Sequence, residues 1–344
     1  MQGFEFNTVG RLVNGSGSSL ELAIECRKLG IRRPMLVTDP GLMAIGLVQP
    51  VLAALEEEDL SAVVFDQVRE DPPEAVVLAA TELGRSREVD GVIAVGGGSS
   101  MDVATMVAVL LGGEQQLSDI YGVGMVTGRR LPLVLVPTTA GTGSEATPVA
   151  VITTGETTKA GVSSPVLLPD VAVLDAQLTL GLPPAVTAMT GVDAMVHAIE
   201  AYTSRHQKNP ISDHLARQAL DLLARNIRSA VHDGQNQEAR ENMLLGACLA
   251  GQAFANAPVA AVHALAYPLA SIFKAAHGIS NALLLPHVLR FNLPEATQRY
   301  SEIALALGAE SKNSPMETAL EGIQIIEQMM RDCKLPLRLS ELGI

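Results

Sequence analysis

Asp193 and His197 lie four residues apart in the segment Gly191-Val192-Asp193-Ala194-Met195-Val196-His197, and His263 and His277 follow in and beyond an unusually apolar stretch. On a helix, residues at this spacing share a face, so Asp193 and His197 can reach one ion. One carboxylate and three imidazoles complete most of a coordination shell. With no thiolate among them, the set suits Fe(II), Zn(II) or a similar divalent ion. The implied chemistry is activation of a substrate oxygen by a metal. Singly, each residue has an ordinary alternative: an i,i+4 surface pair for Asp193 and His197, and a hydrogen-bonded core histidine for His263. Only the combination points to a metal. His206, His214, His232 and His287 have neighbours typical of surfaces or turns.

Two small-residue segments suit a phosphate. Gly96-Gly97-Gly98-Ser99-Ser100-Met101-Asp102 follows an apolar run and opens a helical one. Glycines let a ligand approach the backbone, and a helix N-terminus offers unpaired N–H groups. The run is neither a G-x-G-x-x-G nor a Walker motif, and a tight capped turn is the plain alternative. Pro137-Thr138-Thr139-Ala140-Gly141-Thr142-Gly143-Ser144-Glu145 also follows an apolar run. It suits phosphate or ribose, or equally a turn capped by Thr142 or Ser144. Ligands of open parallel sheets bind at the carboxyl ends of strands, so the two segments together favour a dinucleotide. Asp39 ends an earlier run. Its carboxylate could accept from ribose hydroxyls and repel a 2′-phosphate, favouring NAD over NADP, while also starting the turn Asp39-Pro40-Gly41.

The elements that must position these groups follow from periodicity. Runs at 34–39, 61–65, 91–95 and 131–136 read as strands, separated by helical patterns near 42–58 and 73–85. That alternation predicts an α/β domain with a parallel sheet. Residues from 150 to 157 are expected to form a hairpin flanking it. Beyond Leu182-Pro183-Pro184 the chain reads as all-α, with helices near 190–204, 211–232, 236–256, 279–290 and 316–332. A boundary is placed near residue 180, giving a dinucleotide-binding domain over 1–180 and a helical metal-binding domain over 181–344.

From Asn242 to Phe273 no residue carries a permanent charge, which raises the question of a membrane span. Pro258 and Pro268 break the stretch, and Gln252, Asn256 and His263 are costly in lipid, so two buried helices of a soluble domain are expected. The chain of 344 residues, 48% hydrophobic and 18% charged, carries a formal net charge of -13. An acidic surface argues against nucleic acid. Cys26, Cys248 and Cys333 are scattered and odd in number, and no apolar block opens the chain, so a reducing cytoplasm is expected.

The sequence resembles the iron-dependent (group III) alcohol dehydrogenase family. The likeness rests on Gly96–Ser99 through Asp102, on Pro137–Glu145, and on Gly191–Ala194 with His197-Ala198-Ile199-Glu200. It continues in His263-Ala264, His277-Gly278 and Asn281–His287. The resemblance implies a Rossmann-like domain followed by a helical one, in the dehydroquinate synthase-like architecture, with the active site in the cleft between them. It implies Fe(II), or Zn(II), on Asp193, His197, His263 and His277. It further implies NAD against Asp39, the glycine turn, the Thr138–Ser144 loop and Lys159, with Phe254 near the nicotinamide. The expected reaction is hydride transfer between NAD(H) and a small alcohol/aldehyde pair, in a homodimer.

Three positions depart from the family pattern. Tyr267 stands where a second histidine is frequent, and a phenol holds its proton more tightly than an imidazole. Thr105 replaces a usual lysine after the glycine turn. The sequence ends at Ile344, where relatives usually continue, so the helical domain is expected to be shortened or the natural chain to be longer. Tyr267 also motivates a hydroxyacid–oxoacid transhydrogenase alternative. The three departures together motivate a catalytically impaired NAD-binding homologue. A sugar-phosphate cyclase-type lyase would need basic residues that the helical half does not gather.

Overall fold

Met35, Leu36 and Val37 are all fully buried, yet alternate residues join different cores. Met35, Val37, Val92, Ala94, Leu133 and Leu135 pack in one apolar cluster, and Leu36, Ile93, Val95, Val134 and Val136 in another. The period-2 pleat therefore puts apolar side chains on both faces of one sheet, as central strands of a parallel sheet require. A computed structural model describes residues 3–155 and 158–344, without the side chains of Ala270 and Ser271.

The chain forms two compact units. The α/β unit comprises Thr8–Thr139 and Ser144–Leu178. In chain order its elements are β1 (Arg11–Asn14), α1 (Leu22–Leu29), β2 (Pro34–Val37), α2 (Pro40–Ala44), α3 (Gln49–Glu57), β3 (Val63–Phe65), α4 (Glu74–Ser86), β4 (Gly91–Gly96), α5 (Gly98–Gly112), β5 (Gly122–Val123), β6 (Leu133–Pro137), β7 (Val149–Thr154), β8 (Thr158–Ser163) and β9 (Val171–Leu174). Six strands pair in parallel in the order β1-β9-β6-β4-β2-β3. The order reverses between β2 and β4, which is where an open sheet of this kind leaves a crevice. β7 and β8 form the antiparallel hairpin, in a separate three-stranded sheet with β5. Glu156 and Thr157 of the expected hairpin lie outside the described residues.

The helical unit comprises Met1–Asn7, Ala140–Gly143 and Thr179–Ile344. Its helices are α6 (Pro184–Thr203), α7 (Pro210–His232), α8 (Gln237–Asn256), α9 (Ala261–Phe273), α10 (His277–Ala306) and α11 (Pro315–Asp332). Helix α6 packs on α7, α8 and α10, and α10 also on α9 and α11. Helix α6 packs closely at Gly191, where a Cβ would lie 2.6 Å from Met243 Cε of α8 and 3.0 Å from Ile227 Cδ1 of α7.

Several expected boundaries shift. The 42–58 stretch is two helices, α2 and α3, broken around Gly46 at φ +73°. Helix α6 starts at Pro184, not near 190, because proline suits a first helical turn. Helix α10 runs to Ala306, through Pro286 and Pro294, rather than ending near 290. The apolar stretch from Asn242 forms most of α8 and then α9, whose axes bend by 104°. Among the described residues no single helix is long and apolar enough to cross a membrane. Helix α9 is only half buried: Leu265 and Ile272 are exposed.

Candidate metal centre and cofactor-binding edge

Helix α6 carries Asp193, His197 and Glu200 on one face, and all three are buried. Helix α9 supplies His263 from its first turn, and α10 supplies His277 as its first residue, with Asn281 one turn on. Gly278 explains how α10 comes so close. A Cβ there would lie 2.7 Å from the Met189 carbonyl oxygen, so only glycine lets the start of α10 rest on α6.

Ligand atoms of Asp193, His263 and His277 all lie within 4.8 Å of one another. His197 stands beside this trio rather than within it. Its ring stacks on His263 at 4.7 Å between centroids and on Phe254 at 4.6 Å. Asn281 donates from Nδ2 to Asp193 Oδ1 at 2.6 Å, and the same nitrogen is 3.2 Å from His277 Nε2. Glu200 Oε2 is 2.7 Å from His263 Nδ1. Tyr267 lies one turn beyond His263 on α9 and is 48% exposed.

The polar bookkeeping of this cluster fits a cation. His263 Nε2 and His197 Nδ1 are buried and have no hydrogen-bond partner. Such orphaned nitrogens are costly unless something is bound to them. Burial pushes the His197 imidazole down to about 4, against the pull of Asp193, so it is neutral at neutral pH. Burial also disfavours the charge on Asp193. The neighbouring imidazoles, His197 foremost, and the Asn281 amide outweigh it and hold the carboxyl below its ordinary range. A carboxylate beside a neutral imidazole is a donor pair that suits a divalent metal.

In the α/β unit the carboxyl ends of β2, β4 and β6 come together. Gly96 is in register with Pro137, and Thr138 N–H donates to the Gly96 carbonyl at 3.0 Å. A Cβ on Gly96 would lie 2.5 Å from Ser100 Cβ, so the strand can turn straight into α5 only at glycine. The N-cap residue of α5 is Gly97, which has no side chain to cap the helix that begins at Gly98 and Ser99. Thr139 lies within van der Waals reach of a Cβ built on Gly97. Asp39 accepts from Leu42 N–H at 3.0 Å and caps α2. Asp102 accepts from Val151 N–H at 3.1 Å, and burial pushes its carboxyl up to about 7. Lys159 pairs with Asp71 at 2.6 Å.

The Thr138–Ser144 loop is divided between the two units. Thr138, Thr139 and Ser144 belong to the α/β unit, and Thr142 to the helical unit. Its glycines serve packing: a Cβ on Gly141 would lie 2.7 Å from Thr190 Cβ, and one on Gly143 would lie 2.6 Å from Gly251 Cα. Thr105 turns inward, donating to the Met101 carbonyl at 2.8 Å in its own helix. Glu200 and Asn281 were not among the residues expected from sequence to serve the site. The signal available was helical spacing, since each lies within two turns of a candidate ligand on its own helix.

Comparison with known proteins gives a consistent picture. The family described as iron-containing alcohol dehydrogenase matches residues 10–176, and the C-terminal family of Fe-containing alcohol dehydrogenases matches residues 187–344. The long-chain-alcohol dehydrogenase 1 of Geobacillus thermodenitrificans (strain NG80-2) is 42% identical over 334 residues, covering 96% of this chain and 84% of that one. A crystal structure of 1,3-propanediol oxidoreductase superposes with a TM-score of 0.96 at 36% identity, covering 100% of this chain and 90% of that one. The sulfoacetaldehyde reductase of Bifidobacterium kashiwanohense, solved in complex with NAD+, superposes with a TM-score of 0.90 at 29% identity, covering 100% and 89%.

Proposed function

The chain belongs to the iron-containing alcohol dehydrogenase family, and we propose from that premise a division of labour in which the helical unit holds the metal and the α/β unit holds NAD. The activity is metal-dependent, NAD(H)-linked interconversion of an alcohol and an aldehyde. The observation that carries the residue assignment is the convergence of Asp193, His263 and His277, with His263 Nε2 buried and unpartnered beside them.

Asp193, His197, His263 and His277 are the proposed ligands, with Fe(II) the proposed ion and Zn(II) its substitute. A bound metal supplies Lewis-acid polarisation of the substrate oxygen, and the nicotinamide carries the hydride. The protein's own contribution is to hold the donors ready. Asp193 supplies the negative charge, Asn281 ties Asp193 to His277, and Phe254 fixes the plane of His197 by stacking. Tyr267, half exposed, is assigned the exchange of a proton with solvent at its hydroxyl. For the cofactor, the α5 N-terminus at Gly97, Gly98 and Ser99 suits the pyrophosphate. Thr138, Thr139, Thr142 and Ser144 supply hydroxyl contacts, Asp39 meets the adenosine ribose, and Asp102 on α5 and Lys159 on β8 complete the proposed cofactor contacts. A cytoplasmic location, in keeping with three buried cysteines that form no disulfide with one another, and a homodimer are part of the proposal.

The test is NADH oxidation at 340 nm with a panel of small aldehydes, on protein stripped of metal and then reloaded with Fe(II) or Zn(II). Activity should vanish on stripping, return on reloading, and fail to return in a His277→Ala chain. Undiminished turnover by the stripped protein would overturn the metal assignment.

A further inference from the structure

Glu200 is a carboxylate only 3% exposed, lodged beside the candidate metal centre without belonging to it. Its Oε1 accepts from Val262 N–H at 2.6 Å. Its Oε2 accepts from Ala260 N–H at 2.8 Å and lies 2.7 Å from His263 Nδ1. The two amides sit at the entry of α9, where backbone donors have no helical partner. A carboxylate there also meets the positive end of the helix dipole. Helix capping thus explains two of the three contacts and leaves the third.

The third contact decides which nitrogen of His263 carries hydrogen. An ionised carboxylate only accepts, so Nδ1 must be the donor. Nε2 then holds either a second hydrogen or a lone pair. Nε2 is buried with no partner, so a hydrogen there would be an unsatisfied buried donor. A lone pair, in contrast, leaves Nε2 available as a ligand atom in the cluster that His263 forms with Asp193 and His277. The rest of the ring is confined by His197 on one side and by His277 at 5.6 Å between centroids.

We infer that Glu200 is a positioning residue: by accepting the Nδ1 hydrogen of His263 it locks the tautomer and ring orientation that present Nε2 to the ion. The inference rests on the metal assignment made above. Outer-shell partners of this kind are worth about ten- to a hundred-fold in metal affinity. Glutamine at 200 would offer one acceptor oxygen where two are in use, so one side of the arrangement must break.

The experiment measures Co(II) affinity by chelator competition, with the Co(II) visible spectrum alongside, for the full chain and for E200Q, H263A and the double variant. E200Q should weaken Co(II) about ten- to a hundred-fold and alter the visible bands. In the H263A background E200Q should cost no more than about twofold, because its partner is already gone. Equal losses in both backgrounds would reduce Glu200 to a helix cap and overturn the inference, as would an E200Q chain that binds like the parent. Long-range proton–nitrogen spectra of the metal-free parent need no variant. They should show His263 protonated at Nδ1, and an Nε2–H tautomer overturns the inference. If the parent takes up no Co(II), the metal assignment falls as well. If the parent binds and E200Q is indifferent, only the role of Glu200 falls.

Discussion

Burial determines the charge state of single side chains in both units, and it does so with opposite consequences. His197 is kept neutral, which suits a ligand, while Asp102 is pushed up to about 7 because burial outweighs the Val151 backbone donor and the charge of Lys159. The second shift has a stability consequence. Below about pH 4 the Asp102 carboxyl is protonated in both folded and unfolded chains. As pH rises from there to about 7, the unfolded chain ionises and the folded one resists, so stability is lost across that window. The loss is complete above the folded value and is at most about 4 kcal/mol. Asp102→Asn should therefore be more stable than the parent in urea unfolding at pH 8, with the difference shrinking towards zero near pH 4. A constant difference across pH would contradict the assignment. At this scale much of the candidate site was legible, because Asp193, His263 and His277 are distinctive by type and spacing. The inward bond of Thr105 and the packing roles of Gly141 and Gly143 were not legible, since a hydroxyl bonded to its own helix and a glycine needed for packing look like any other in sequence.

Proline and glycine decide the elements. Pro286 and Pro294 each remove an amide donor, so sequence alone ends the helix early. Helix α10 continues because its buried residues, Leu285, Val288, Leu289 and Leu293 among them, pack inside the unit, and α10 lies against α6 and α11. The start of the same helix depends on Gly278. Gly278→Ala sets a Cβ against the Met189 backbone, forcing α10 away from α6 and His277 from Asp193. Overpacking of this sort costs about 1–3 kcal/mol. The variant should lose that much in urea unfolding and bind Co(II) more weakly than the parent. Unchanged metal affinity would mean that His277 does not depend on the contact.

At the scale of the whole molecule, one chain builds two units and crosses between them more than once, returning for Ala140–Gly143 and for the first seven residues. Each unit is proposed to hold a different ligand, which calorimetry can separate. A ligand that binds only the folded state at a hundred times its dissociation constant stabilises it by about 2.7 kcal/mol. Zn(II) should raise the transition of the helical unit, EDTA should reverse that rise, and NAD should act on the α/β unit. A profile that responds to NAD and never to metal would count against the helical unit as metal holder. By itself the sequence determined the parallel α/β sheet followed by helices, and the residue types of the ligand set. Those follow from local periodicity and from side-chain chemistry, which a chain carries wherever it folds. Only the tertiary structure decided that Asp193, His263 and His277 converge while His197 stacks beside them, that Glu200 and Asn281 hold them, and that the 137–145 loop is divided between units. Those outcomes depend on contacts between residues far apart in the chain, such as Asp193 with Asn281, 88 positions on, and no local pattern encodes which buried polar atoms will meet.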